Sequence, residues 1–545
     1  MSQLDMSTQC MQVTEILMHI CEELRQTESW VTLAALASTS SATSQPALDS
    51  LWKEQDAVAP LVLTFPQCEV VQQNHELRSL KLKGFISQAS WDRSQTYARR
   101  VRVLRLGPAS HWSLGDDGLG VTAETLKVLM LRAGGSPVYP NLQELDLHDM
   151  DANLQSFIPM FVGPALTKLR LRPGAYLEYL FMLGSLPSRC PQLTTFEAAW
   201  DVFYADASEW QANYPGLEYS HQTRQVDEQN QDVQNAIRDL YRGWPSLVSA
   251  SIPDADPELL RYLGQHSNLR HLSMGVMYSH DWKPATHPSF TRLQSIAILH
   301  ASHSEVSRIL MSLSAPPLAV KSVFLSCPPS ADDGHRQRNL DTIAQICDAS
   351  TLQSVSYFER SIGPSFLPVP ESVPPACLLQ YRRFANMTEF AIGDCLIDVT
   401  DNDMAALAIA WPRLLALRLH VWPSTSQSVA ESKLTLSVLL PFARHCPSLT
   451  ALELLLNATN IQAPPLSPSN AGPTNHTSLQ LNIISSPVED VDAAANFICA
   501  VSHDRVTITV DDGIEYLSRS PTLQKWAEIR GKVLGICEAR ALIGQ

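Results

Sequence analysis

One short signature recurs along most of the chain: apolar, two variable, apolar, one variable, apolar. Leu77-x-x-Leu80-x-Leu82, Val101-x-x-Leu104-x-Leu106, Leu142-x-x-Leu145-x-Leu147 and Leu166-x-x-Leu169-x-Leu171 carry it early. Leu269-x-x-Leu272, Leu293-x-x-Ile296-x-Ile298, Met387-x-x-Phe390-x-Ile392, Leu414-x-x-Leu417-x-Leu419 and Leu449-x-x-Leu452-x-Leu454 follow, with weaker copies from Leu193, Leu247 and Leu352. The starts lie 24 residues apart from Leu77 to Val101, from Leu142 to Leu166 and from Leu269 to Leu293, and 27 apart from Leu166 to Leu193. Alternation at the last two apolar positions is the period of a strand. A unit this short cannot close a core alone, so units must stack. Unrelated amphipathic strands in an ordinary α/β domain are the competing reading, and the shared step argues against it.

Steps of this length fall in the range of leucine-rich repeats, roughly 20–29 residues. The fold class predicted is therefore α/β: an irregular leucine-rich-repeat solenoid over 65–510, a curved parallel sheet with helices outside. Longer gaps, 41 residues from Val101 to Leu142 and 54 from Leu193 to Leu247, leave room for loops or degenerate units. Polar insertions are predicted at 205–235, 326–338, 361–375 and 457–477. Cys395 and Asn457 stand three residues beyond a last strand position, where a polar side chain satisfies turn backbone. An open last unit would expose apolar surface, so 511–545 is predicted to be a helical cap. Pro521 starts that helix, and Leu523, Trp526, Ile529 and Val533 face inward.

The first sixty residues have a different texture. Residues 1–10 are expected to be disordered, and 11–60 to form a helical domain. In 14–24, Ile16, Leu17, Ile20, Cys21 and Leu24 share one helical face, with Thr14 as a plausible cap. Trp30, Leu33, Ala34 and Ala37 suit a second helix over 30–37, capped by Thr27 or Ser29. The small and polar run 38–45 should interrupt it, and Pro46 is placed to start a third helix over 46–52.

Composition narrows the function. Net charge is −15, which disfavours a general nucleic-acid binder. The 11 cysteines form no Cys-x-x-Cys pair and read as reduced thiols. With no signal pattern at the N-terminus, and no apolar run longer than 404–411, a cytoplasmic or nuclear location is expected. There is no Gly-x-Ser-x-Gly elbow and no phosphate-binding Gly-Lys-Ser/Thr loop. Gly115, Gly118 and Gly120 do not match the dinucleotide spacing. His300 and His303, like His266 and His271, lack ligand partners at metal spacing and read as surface or strand histidines. Asp398, Asp401 and Asp403 fit a helix start better than a calcium loop. No enzyme activity, cofactor or metal is expected.

The N-terminal block resembles an F-box, as found in fungal F-box/leucine-rich-repeat proteins. The matching residues are Val13-Thr14-Glu15-Ile16-Leu17, Ile20, Leu24, Leu33, Leu36, Ala37 and the ending Gln45-Pro46-Ala47-Leu48-Asp49-Ser50-Leu51-Trp52. Thr14 stands where the family has proline. Cys190-Pro191-x-Leu193 and Cys446-Pro447-x-Leu449 resemble the strand entries of such proteins, with Trp244-Pro245 and Trp411-Pro412 as variants. Their cysteines are read as packing groups. The resemblance implies a substrate-recognition subunit of an SCF-type cullin–RING ubiquitin ligase. Ile16, Leu17, Ile20, Leu24, Leu36 and Trp52 would serve a Skp-family adaptor, and through it a cullin, together with the domain's own core. The repeats would hold an unknown protein substrate. The alternative is a leucine-rich-repeat scaffold whose F-box no longer engages the ligase. Between the inward leucines, Lys81, Lys83, Arg105, Lys168, Arg170 and Arg172 gather on the presumed binding face, with Glu144, Asp146 and His148 interrupting. They are either solvated charge or a grip for an acidic or phosphorylated segment.

Overall fold

The structure is a computed structural model that describes residues 14–72, 78–107, 119–150, 156–173, 184–198, 235–252, 255–276, 282–283, 290–299, 301–313, 317–328, 333–359, 373–393, 397–420, 432–461, 479–483, 486–502, 506–509 and 521–543. Residues 1–10, the bulk of the predicted insertions at 205–235, 361–375 and 457–477, and Cys395 lie outside the described residues. The chain divides into two compact units, one reaching Ile252 and the other starting from Ala255 among the described residues.

The first unit opens with three helices, α1 (Thr14–Gln26), α2 (Trp30–Thr39) and α3 (Ser41–Lys53). Leu17, Cys21, Leu33 and Ala47 form their interior, with Leu24, Leu36, Ala37 and Leu51 packed around it. Thr27 donates its hydroxyl to the carbonyls of Glu23 and Leu24, so it closes α1 and does not start α2. Ser29 holds the cap position of α2 without a side-chain bond. The predicted interruption at 38–45 shrinks to Ser40, and α3 starts at Ser41, not at Pro46. Ser40 is extended, and its Oγ accepts the Thr43 N–H at 3.2 Å, which makes it the start signal. Pro46 therefore lies inside α3 and offers no N–H to the Ala42 carbonyl. The helix tolerates this because Ala42 is exposed to solvent.

The strands of the first unit are β1 (Glu54–Gln55), β2 (Cys68–Gln72), β3 (Arg78–Leu82), β4 (Val103–Leu106), β5 (Leu119–Val121), β6 (Glu144–Met150), β7 (Lys168–Pro173), β8 (Thr195–Ala198) and β9 (Ser249–Ile252). The order β1-β4-β6-β7-β8-β9 makes a parallel sheet. Leu104, Leu145, Leu169, Phe196 and Ala250 share one register row, and all are buried. The copy at Leu77 is not part of that row. β3 lies in a separate sheet ordered β2-β3-β5, antiparallel to β2. The place beside β4 is filled by β1, the two residues that leave α3.

The second unit carries β10 (His271–Gly275), β11 (Ser295–Leu299), β12 (Ser322–Cys327), β13 (Ser354–Glu359), β14 (Glu389–Gly393), β15 (Ala416–His420), β16 (Ala451–Leu454), β17 (Leu479–Asn482) and β18 (Val506–Thr509), parallel and in chain order. Leu272, Ile296, Val323, Val355, Phe390, Leu417, Leu452, Leu481 and Ile508 form its buried row. Helices such as His303–Leu313 and Asp401–Ala410 return the chain between strands. This is the leucine-rich-repeat arrangement of strands and helices. The predicted insertion at 326–338 is a regular unit instead: β12 ends at Cys327, and the helix Asp333–Ile346 follows. Its polar residues divide between the exposed side of that helix, Gln337 and Arg338, and the buried Ser326 and Arg336.

Recurrent details fix the strand entries. The indole N–H of Trp244 donates to the Cys190 carbonyl, that of Trp411 to Tyr381, and that of Trp526 to Ser486, at 3.1, 3.1 and 2.7 Å. Each bond satisfies a buried carbonyl one unit back, while the ring fills the core. Asn457 accepts the Thr459 N–H on Oδ1, as its turn position predicts. Thr400 and Asp403 cap the helix Asp401–Ala410 reciprocally, whereas Asp401 reaches forward to the N–H of Thr435 at 2.9 Å. The final helix, Pro521–Ile543, buries Trp526, Ile529 and Val533, while Leu523 is half-buried.

Candidate protein-interaction surfaces

The three-helix module uses part of its apolar surface internally. Leu17 is core, and Leu24 and Leu36 pack against that core. Trp52 packs against Tyr97 in a tilted pair with ring centroids 4.9 Å apart, which ties α3 to the helix Gln88–Ala98. Ile16 is 41% exposed, and Ile20, one turn on, is half-buried. Three further apolar residues are exposed: Met18 and Val31, which lie off the predicted apolar faces, and Trp30, which the predicted face of the second helix includes; Val31 is 85% exposed. Val31 shares its helical face with exposed Ala34 and Ala35. Periodicity identified which residues are apolar, but not which side of a short helix its neighbours leave open.

Charge anchors this module to the sheet. Arg25 bonds Glu22 at 2.6 Å and Glu54 at 2.9 Å, and Lys53 reaches Glu22 at 3.2 Å. The Arg25 hydrogen bond, helped by Lys53 against the cost of burial, holds the Glu22 carboxyl down at about 2. Glu54 also binds Arg105 of β4 at 3.0 Å.

The bases named on the strands are not brought together as one basic strip. Lys81 and Lys83 belong to the separate β2-β3-β5 sheet region, where Lys83 pairs with Glu69. On the main sheet Arg105, Asp146, Arg170 and Glu197 share one register row across β4, β6, β7 and β8. Their signs alternate. Arg170 reaches Glu197 at 2.6 Å, Glu144 at 3.3 Å and Asp146 at 3.6 Å, and Lys168 reaches Glu144 at 3.0 Å. The Arg172 side chain lies outside the described residues. The face is a ladder of opposite charges, with Glu54, Glu144, Asp146 and Glu197 answering the bases.

The second unit holds a buried polar cluster around His303, which the sequence predicts to be a surface or strand histidine. His303 is 6% exposed and opens the helix His303–Leu313. Its Nε2 lies 2.8 Å from the Pro328 carbonyl, so that nitrogen carries the proton. Its Nδ1 faces the Tyr357 hydroxyl at 3.1 Å and the Asn339 amide at 3.3 Å. Tyr357 also bonds Glu359, which Arg336 grips through two nitrogens. Burial lowers the His303 pKa, with Arg336 and His335 adding to the effect and Glu359 and the Pro328 carbonyl opposing it. The cluster ties together consecutive units and leaves its imidazole neutral. The thiols beside such cores are inert: burial pushes Cys190, Cys327, Cys347 and Cys446 up to about 12. Among the described residues no group of His, Cys, Asp and Glu could hold a metal, and no helix is long and apolar enough to cross a membrane.

No family model matches this chain, and no curated protein matches it. Among solved structures it is similar to the crystal structure of a Rad7 and Elc1 complex in yeast, at 12% identity and a TM-score of 0.35, covering 94% of this chain and 96% of that one. It is also similar to an internalin, inlF, of Listeria monocytogenes, at 11% identity and a TM-score of 0.26, covering 89% and 94% of the two chains.

Proposed function

We propose that this chain is the substrate-recognition subunit of an SCF-type cullin–RING ubiquitin ligase. In this reading α1 and α2 dock on a Skp-family adaptor, and the repeats hold a protein substrate without catalysing anything themselves. The observation that supports it is the open apolar surface of the small helical module: Ile16, Met18, Trp30 and Val31 are exposed although its interior is already filled. Burying a large aliphatic side chain in an interface is worth about 1.5–3 kcal/mol, and a few such anchors dominate a protein contact. The strand face is proposed as the substrate surface. An acidic segment there would have to displace Glu54, Glu144, Asp146 and Glu197 from their bases. A segment with charges of both signs fits the ladder better.

A repeat scaffold without a ligase role is the second reading. It is favoured by the inward use of Leu17 and by the packing of Trp52 against Tyr97. Affinity purification of the full chain separates the two. The ligase reading expects an adaptor and a cullin among the captured proteins, and their absence sinks it.

A further inference from the structure

We propose that β2 is a self-pairing edge through which two copies of this chain join their β2-β3-β5 sheets about a two-fold axis at Val70. This goes beyond the ligase reading and does not depend on it.

β2 ends its sheet: β3 lies on one side, and among the described residues no strand pairs with the other. The register opposes Glu69 to Lys81, Val70 to Leu80 and Val71 to Ser79. The Lys83 N–H donates to the Gln67 carbonyl at 3.0 Å, which marks that pair as a bonded one. Bonded and unbonded pairs alternate along an antiparallel ladder. Glu69 and Val71 therefore bond to β3, and the backbone groups of Cys68, Val70 and Gln72 point outward. The far side of β3 agrees, because the Leu80 carbonyl and the Leu82 N–H are used by Thr122 and Thr125, away from β2. Cys68 has already given its N–H to the Phe65 carbonyl.

An exposed edge of this kind recruits another strand unless something blocks it. β2 has no proline and no lysine, and Val70 on it is 55% exposed. A second copy fits it in antiparallel register with Val70 opposite Val70. The two valines exchange both backbone bonds, and each Gln72 N–H meets the partner's Cys68 carbonyl. Glu69 then faces the partner's Val71, so like charges are not directly opposed, and Glu69 keeps its own Lys83. Such an isologous contact closes at two copies and cannot propagate. The self-complementarity of charge and hydrogen bonding selects a second copy over an unrelated peptide.

The test uses the full chain in sedimentation across micromolar concentrations. The wild type should show a monomer–dimer equilibrium. Val70→Pro removes an outward N–H and no intrachain bond, so it should sediment as a monomer with unchanged circular dichroism and melting. Val70→Cys should cross-link under mild oxidation, because bonded pairs hold their Cα atoms about 5.5 Å apart, within disulfide reach. Val71→Cys, opposite Glu69, should cross-link no more than the wild type. A wild type that stays monomeric overturns the proposal. So does a dimer indifferent to Val70→Pro, or a Val71→Cys chain that cross-links as readily as Val70→Cys.

Discussion

Arg336 Nη2 lies 2.7 Å from Glu359 Oε2, and both residues are 2% exposed. The pair joins the helix Asp333–Ile346 to the end of β13, one unit on. Removing one partner leaves a buried charge, which costs about 3–5 kcal/mol. Arg336→Met should therefore lower the urea midpoint of the second unit sharply. Adding Glu359→Leu should restore much of the loss. A single variant as stable as wild type would show that the pair does not hold these units together.

His303 gives the fold a pH dependence of definite sign. Its folded pKa lies below the usual value, so the native state binds fewer protons than the unfolded one in that window. Stability contributed by the neutral imidazole is complete above an ordinary histidine pKa of about 6.5. It is lost as pH falls from there toward the lowered value. Urea midpoints at pH 7.5 and 5.5 should differ more in wild type than in His303→Gln. Equal differences would remove His303 from this role.

The charge ladder gives Arg170 a structural role. Arg170→Glu would set a carboxylate among Glu144, Asp146 and Glu197 and should destabilise the first unit by more than Arg170→Met. Thermal melts of both variants, with and without added salt, read this out. Salt should recover part of the Glu variant's loss. Equal melting of the two would mean that the ladder carries little energy.

Thiol labelling checks the packing of the repeats. Among the described cysteines, Cys68 and Cys537 are partly exposed and the other seven are buried. In the native chain at pH 8 those two should react with iodoacetamide well before Cys190, Cys327, Cys347 or Cys446. Rapid native labelling of Cys446 would contradict a closed core beneath β16.

Much of the repeat architecture was legible because leucine at alternate positions is a local signal. Even the weak copies at Leu193, Leu247 and Leu352 lead into β8, β9 and β13. β12 escaped because valine replaces leucine at Val320 and Val323, and β17 and β18 because Ser478 and Arg505 stand where the signature has its first apolar residue. The misplacement of the Leu77 copy has another cause. Its apolar pattern is correct for one buried face, but nothing local says that β2 and not a neighbouring repeat will pair with it. The surfaces were less legible. Lys168 and Arg170 look like a basic patch along the chain, yet Glu144 and Glu197, 24 and 27 residues away, neutralise them through adjacent strands. His303 looked superficial because Arg336, Asn339 and Glu359, which satisfy it or its partners, are far off in sequence.

Adaptor binding by the open face of α1 and α2 is what the proposed function rests on. Leu17 is unsuitable for testing it, since a carboxylate there would unfold the helices. Ile16→Asp with Val31→Asp changes exposed positions only. The decisive measurement is a calorimetric titration of purified Skp-family adaptor into the full chain and into this double variant. The wild type should bind saturably, and the variant, with unchanged melting, should lose at least a hundredfold in affinity, about 2.7 kcal/mol. No binding by the wild type, or equal binding by both, would contradict it.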